Sequence, residues 1–132
     1  MDKLLDTNTL IYYFKGLGQV KSHLLSTSPK DIAIPSVVLY ELEVGIAKSN
    51  SPAKRSKQLK AMCSVVRVLP FTEKEAQITA NIRAQLEQKG TPIGHYDYLI
   101  AGTALAHNGV LISNNTKEFK RVADLKLDNW FY

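Results

Sequence analysis

The chain has 132 residues, with 17 Lys and Arg against 12 Asp and Glu for a net charge of +5, and 45% of it is apolar. That length suits one domain, residues 1–132, with a real buried core. No apolar run approaches the ~20 residues of a membrane span, and Cys63, the single cysteine, cannot form an internal disulfide.

Met1-Asp2-Lys3 leads straight into an apolar run, with none of the basic, apolar and small-residue regions of a secretory leader. With the lone cysteine, this points to a reducing cytoplasm. Lys3–Asp6 reads as a short buried strand. Thr7 or Asn8 can cap a helix from Thr9 to about Lys15, closed near Gly16 and Gly18. Val20–Ser26 reads as a second short helix and Asp31–Pro35 as the second strand. Ser36 then caps a helix from Val37 to about Lys48, and Lys54 to about Cys63 is helical too. Val65–Leu69, β-branched and apolar, is a third strand. Thr72-Glu73-Lys74-Glu75 is a capping box opening a helix with Ile78, Ile82 and Leu86 on one face, closed at Lys89-Gly90. Asp97 starts a further helix to about Asn108, closed by Gly109. Val110–Ser113 is the fourth strand and Leu125–Leu127 a short fifth.

Strands thus alternate with helices, and the strands are continuous apolar runs rather than alternating ones. That pattern predicts an α/β fold with a parallel sheet covered on both faces, in which ligands bind beyond the carboxyl ends of the strands. Four acids, Asp6, Glu41, Asp97 and Glu118, stand at strand–helix junctions of this repeat. Each has an ordinary alternative. Asp6 and Asp97 can be helix caps or turn formers, and Glu118 lies in what reads as a polar loop, Ser113–Phe119. Glu41 falls on or beside an apolar stripe of Val37, Val38, Leu42 and Gly45, where an acid needs a partner or a metal. Glu43 is turned from it by about 200° and faces solvent.

Four acids in one pocket repel one another unless a cation neutralises them. An all-oxygen set suits Mg²⁺ or Mn²⁺ rather than Zn²⁺, and such ions activate water for in-line displacement at phosphorus. With no Ser or Cys nucleophile motif and no Gly-rich phosphate loop, the expected reaction is hydrolysis of a phosphodiester by water. Asp6, Glu41, Asp97 and Glu118 are therefore the candidate catalytic and metal-binding residues. His23, His95 and His107 lack metal-ligand spacing. Between Glu43 and Glu73 there is no acid, while Lys48, Lys54, Arg55, Lys57, Lys60 and Arg67 fall there. That segment is either a solvated helix face or a surface for a polyanion such as RNA. Lys48, Lys54, Arg55 and Lys57 are its RNA-binding candidates.

Four segments together resemble the PIN-domain ribonucleases, in particular the VapC toxins of bacterial toxin–antitoxin pairs. They are Leu4-Leu5-Asp6-Thr7-Asn8, Ser36–Gly45, Pro92–Ala101 and Ser113–Phe119, in the family's order and nearly its spacing. The ending Leu125–Trp130 is similar too, so the resemblance covers essentially the whole chain. It implies a PIN-like three-layer α/β/α fold with a four- to five-stranded parallel sheet. By position it implies that Asp6, Glu41 and Asp97 are core metal-binding acids, that Glu118 stands where a fourth acid, commonly Asp, is found, and that Asn8, Asn115 and Ser113 support them. His95 replaces a residue that is often Pro. The resemblance further implies a homodimer with two sites along a basic groove, a VapB-like antitoxin whose tail blocks the site, and RNA, in many such toxins tRNA, as substrate. Two other readings stay open from the residues alone: a catalytically silent RNA- or protein-binding module, and a Mg²⁺ phosphatase for small esters. Asn8, two residues after Asp6, departs from the Asp-x-Asp motif that the phosphatase reading needs.

Overall fold

A computed structural model describes residues 1–132. The elements run in order β1 (Lys3–Leu5), α1 (Thr7–Lys15), α2 (Val20–Leu25), a 3₁₀ turn (Pro29–Asp31), β2 (Ile32–Pro35), α3 (Ser36–Ala47), α4 (Pro52–Cys63), β3 (Arg67–Leu69), α5 (Glu73–Gln88), α6 (His95–Ala106), β4 (Val110–Ile112), α7 (Thr116–Phe119) and β5 (Lys126–Asp128). All five strands pair in parallel, in the order β3-β2-β1-β4-β5.

The central strands are buried on both sides. Successive strand residues point to opposite faces, and Leu4 with Leu5, Ile32 with Ala33 and Ile34, and Leu111 with Ile112 are all fully buried. Helices therefore cover both faces, which is the three-layer α/β/α arrangement the sequence predicts. The edge strands differ: β3 exposes Arg67 and Val68, and β5 exposes Lys126 and Asp128, and the charged side chains among them discourage further pairing.

The strand order places the switch point of the sheet at β1. The chain leaves β1 toward β2 and β3 on one side and returns to β4 and β5 on the other. A crevice opens beyond the carboxyl ends of β1 and β4, where such folds bind ligands. Leu5 pairs with Ile112, so the next residues, Asp6 and Ser113, emerge side by side into it.

Several local expectations are corrected. Helix α3 begins at Ser36, with Pro35 in the cap position and no side-chain cap. Proline fixes the extended backbone there and leaves Ser36 as a helical residue. Helix α6 begins at His95 with Gly94 at its cap, so Asp97 lies inside the first turn and is not the cap. Helix α6 ends with Asn108 in the left-handed conformation, φ 50°, and Gly109 follows where a Cβ would lie 2.4 Å from Leu4 Cδ1. The segment read as a polar loop contains a short helix, α7. Gly45 is exposed rather than part of the buried stripe of α3, whereas Val37, Val38 and Leu42 are buried and Glu43 is exposed, as expected. The capping box of α5 is present, with Glu75 Oε1 accepting the Thr72 backbone N–H at 2.7 Å.

Helix α6 carries Asp97, and its position depends on close packing against α5. A Cβ on Gly102 of α6 would meet Thr79 of α5 at 1.8 Å from Oγ1 and 2.9 Å from Cβ. The Thr79 hydroxyl, buried here, has no hydrogen-bond partner. A rotation of Thr79 relieves the first contact but not the second. Gly102→Ala gains up to about 1 kcal/mol of helix propensity but must push two helices apart, at a cost of about 1–3 kcal/mol. A lower urea midpoint is therefore expected for this variant, and an unchanged or higher midpoint would show that α5 and α6 have slack at this contact.

Candidate active site

Asp6 leaves the end of β1 buried, at 5% exposure. It is the N-cap of α1, its Oδ1 accepting the Thr9 N–H at 2.9 Å. The sequence assigns that cap to Thr7 or Asn8. The structure gives it to Asp6, which caps the helix and faces the crevice at once. An anion at a helix N-terminus is favoured by the dipole. The hydroxyl of Ser113 also donates to Asp6. Burial still wins: it pushes the Asp6 carboxyl above the usual range, against the lowering effect of the Ser113 and Thr9 hydrogen bonds.

Ser113, fully buried, ties the end of β4 to the loop behind it. Its Oγ accepts the Asn115 N–H at 2.9 Å. The Asn115 side-chain amide in turn donates to Glu118 Oε2 at 2.9 Å. A continuous chain of hydrogen bonds thus runs from Asp6 through Ser113 and Asn115 to Glu118, which α7 holds in its first turn. Ser113 and Asn115, named from the sequence as supporting residues, are both links of this chain. Asn8 is exposed on the first turn of α1 and takes no part in this chain.

Glu41 lies on α3, half-buried. Thr7, the first residue of α1, donates its hydroxyl to Glu41 Oε1 at 2.7 Å. Sequence reasoning missed Thr7 because its cap role looked sufficient. The signal was its position beside Asp6, at a helix start with the cap already filled.

Asp97 reports that these acids converge. Its carboxyl is pushed up to about 6, first by burial and then by the negative charges of Glu118, Asp6 and Glu41. The other three sequence-predicted acids therefore all act on Asp97. Gly94 closes one side of this group, since a Cβ there would lie 2.8 Å from Asp97 Oδ2. No three acidic, His or Cys side chains are drawn tightly enough to form a closed metal cage. The donor chemistry nonetheless fits a hard cation such as Mg²⁺, which keeps several of its waters and needs only one or two direct carboxylates.

Lys48, Lys54 and Lys57 are exposed at the end of α3 and along α4. Arg55 is half-buried, bonds Gln58 at 3.1 Å and lines a groove of about 350 Å³ that also reaches Glu41. His23 stacks on Trp130, His107 lies 3.5 Å from Glu75, and His95 is exposed at the start of α6, so none joins the acids.

Known proteins share this architecture. The family model described as PIN domain matches residues 3–125. Ribonuclease VapC2 of Rickettsia felis is 38% identical over 129 residues, 96% of each chain. A protein of Salmonella typhimurium described as tRNA(fMet)-specific endonuclease VapC is 34% identical over 127 residues, again 96% of each. Among solved structures, VapBC2 from Rickettsia felis bound to a DNA fragment from its promoter superposes with a TM-score of 0.92 at 37% identity, covering 98% of this chain and 99% of that one.

The raised Asp97 carboxyl has a direct consequence for stability. Its folded pKa, about 6, lies above the ordinary 3.8. It therefore contributes stability that is fully present below about pH 3.8 and is lost as pH rises through about 6. In metal-free protein, Asp97→Asn should raise the melting temperature at pH 7.5, with the advantage shrinking as pH falls below 6. A melting temperature lowered equally at both pH values would mean that the Asp97 charge is already compensated within the fold.

Proposed function

Because the chain belongs to the PIN domain family, in its VapC branch, we propose that it is a metal-dependent endoribonuclease toxin that hydrolyses RNA phosphodiester bonds, with tRNA as the substrate. The observation that carries this reading is the convergence of Asp6, Glu41 and Glu118 on Asp97, where their charges add to burial in raising the carboxyl to about 6. A group of acids that is costly in water alone is the expected design of a site completed by a cation.

Mg²⁺ or Mn²⁺, when bound, would supply positive charge for the phosphate oxygens and make a coordinated water more acidic than bulk water. The residues of the chain do the rest. Asp6 and Asp97 would hold the ion. Glu41 and Glu118 are half-buried, each with one oxygen occupied by a neutral donor, Thr7 for Glu41 and Asn115 for Glu118. Their remaining oxygens orient water for attack. Water oxygen bonds to phosphorus as the bond to the leaving sugar oxygen breaks, and the proton lost by water is balanced by one gained at that oxygen. The products are a phosphate monoester end and a free hydroxyl end. Positioning of this kind, rather than covalent chemistry, carries most of the barrier reduction in phosphoryl transfer.

The Salmonella typhimurium relative is described as specific for tRNA(fMet), which makes an initiator tRNA the first substrate to examine. The Rickettsia felis structure is of a VapBC pair, and a VapB-like antitoxin is the corresponding partner here. The groove beside Glu41, lined by Ile11, Phe14, Leu42, Ile46 and Leu59 with Arg55 at its edge, suits the apolar side of an inhibitory tail. A homodimer and a cytoplasmic location complete the reading; no helix is long and apolar enough to cross a membrane.

Incubation of total tRNA with antitoxin-free protein tests this. Discrete fragments are expected with Mg²⁺ or Mn²⁺, none with EDTA, and a loss of at least about a hundredfold in rate for Asp97→Asn, in line with removal of one preorganised charge. Folded, metal-supplied protein that cleaves neither tRNA, ribosomal RNA nor messenger RNA, yet binds RNA, would establish a silent binding module instead.

A further inference from the structure

A tyrosine stands one residue before each of two pocket acids: Tyr40 before Glu41 on α3, and Tyr96 before Asp97 on α6. Neighbouring helix residues diverge by about 100°, so each acid turns into the crevice while its tyrosine turns to the outer lip. The two rings are 53% and 44% exposed. They nevertheless meet across the α3–α6 junction, with centroids 5.8 Å apart and planes inclined by 58°. In every other contacting ring pair at least one member is buried or half-buried. Neither tyrosine belongs to the buried core, so the fold gains little from two large apolar faces held largely in water.

Resting on the ribonuclease reading, we propose that Tyr40 and Tyr96 form a stacking platform for one unpaired base of the RNA strand, beside the phosphate that is cut. The acids make such a device useful. They repel the RNA backbone at the very place it must approach, and no Lys or Arg forms an ion pair with any of them, so a neutral contact is the positioning device that fits there. A neutral aromatic face holds any base through its π-surface and tolerates nearby carboxylates. The 58° inclination leaves a ring face uncovered, and an entering base can take the offset arrangement that aromatic pairs prefer. The competing use of these exposed rings is a contact between two copies of the chain, which a sedimentation measurement separates from base binding.

The test uses a short single-stranded RNA with 2-aminopurine at one position, bound to Asp6→Asn protein so that no cleavage intervenes and both tyrosines keep their neighbours. Tyr40→Ala and Tyr96→Ala should each weaken binding about tenfold, as expected for loss of a base–aromatic stack. Quenching of 2-aminopurine fluorescence should fall with them. Tyr96→Phe should keep both, because the ring remains. An abasic residue in place of 2-aminopurine should weaken binding to the parent protein by the same factor and have no further effect on Tyr96→Ala. Unchanged affinity and quenching in both alanine variants would overturn the platform. So would an altered sedimentation mass at unchanged RNA affinity, which would assign the rings to a contact between copies. In the Asp6-containing protein, alanine variants that cleave RNA as well as the parent sink the platform and leave the ribonuclease reading intact. RNA bound through the tyrosines but never cut sinks the ribonuclease reading and leaves the platform.

Discussion

Repulsion among carboxylates that the backbone forces together is the constraint on which this structure turns. Parallel pairing of β1 with β4 brings Asp6 out beside Ser113. Helices α3, α6 and α7 then deliver Glu41, Asp97 and Glu118 to the same crevice, where burial first and the neighbouring charges second hold the Asp97 carboxyl near 6. A fold selected only for stability has no use for such a group, because each ionised acid raises the cost of the next. The parts of the fold that surround it make sense as means of tolerating that cost, which the proposed cation would offset.

Those means are specific and mostly neutral. The α1 dipole and the Thr9 N–H act on Asp6, the Thr7 hydroxyl on Glu41 and the Asn115 amide on Glu118. No Lys or Arg forms an ion pair with any of the four; the salt bridges of the fold lie at Asp2, Glu87 and Glu75. Neutral donors orient carboxylates without neutralising them. The acids remain available to a metal, whereas a lysine would have competed with it. The same logic extends to the rim, where Tyr40 and Tyr96 offer contact area without charge.

Much of this was legible in the residues. Continuous apolar strands such as Ile32–Ile34 announced a sheet buried on both faces, and acids at successive strand–helix junctions announced a common pocket. Elements were read less well where local and tertiary forces compete. Asp6 was freed from capping on the ground that Thr7 could do it, but a buried β1 end leaves Asp6 the better placed donor-seeker. Asp97 read as a cap because the apolar run begins after it, while Gly94, three residues earlier, can leave the helix without a side chain between it and Asp97. Helix α7 is only one turn, stabilised by Phe119 buried in the core, and a polar tetrapeptide shows no periodicity to reveal it. Gly45 failed as a core residue because the groove beside Glu41 occupies the space where its packing partner was expected. Contacts such as Thr7 with Glu41, 34 residues apart, depend on how α1 and α3 cross and have no local sequence signature.

The most direct measurement of the central claim is titration of the protein with Mn²⁺ at pH 7.5, followed by electron paramagnetic resonance, for the parent and for Asp6→Asn, Glu41→Gln, Asp97→Asn and Glu118→Gln. If the four acids form one cation site, the parent binds Mn²⁺, each substitution weakens binding, and binding fades as pH falls through about 6 together with Asp97 ionisation. Mn²⁺ binding that is absent from the parent, or indifferent to all four substitutions, would contradict the account.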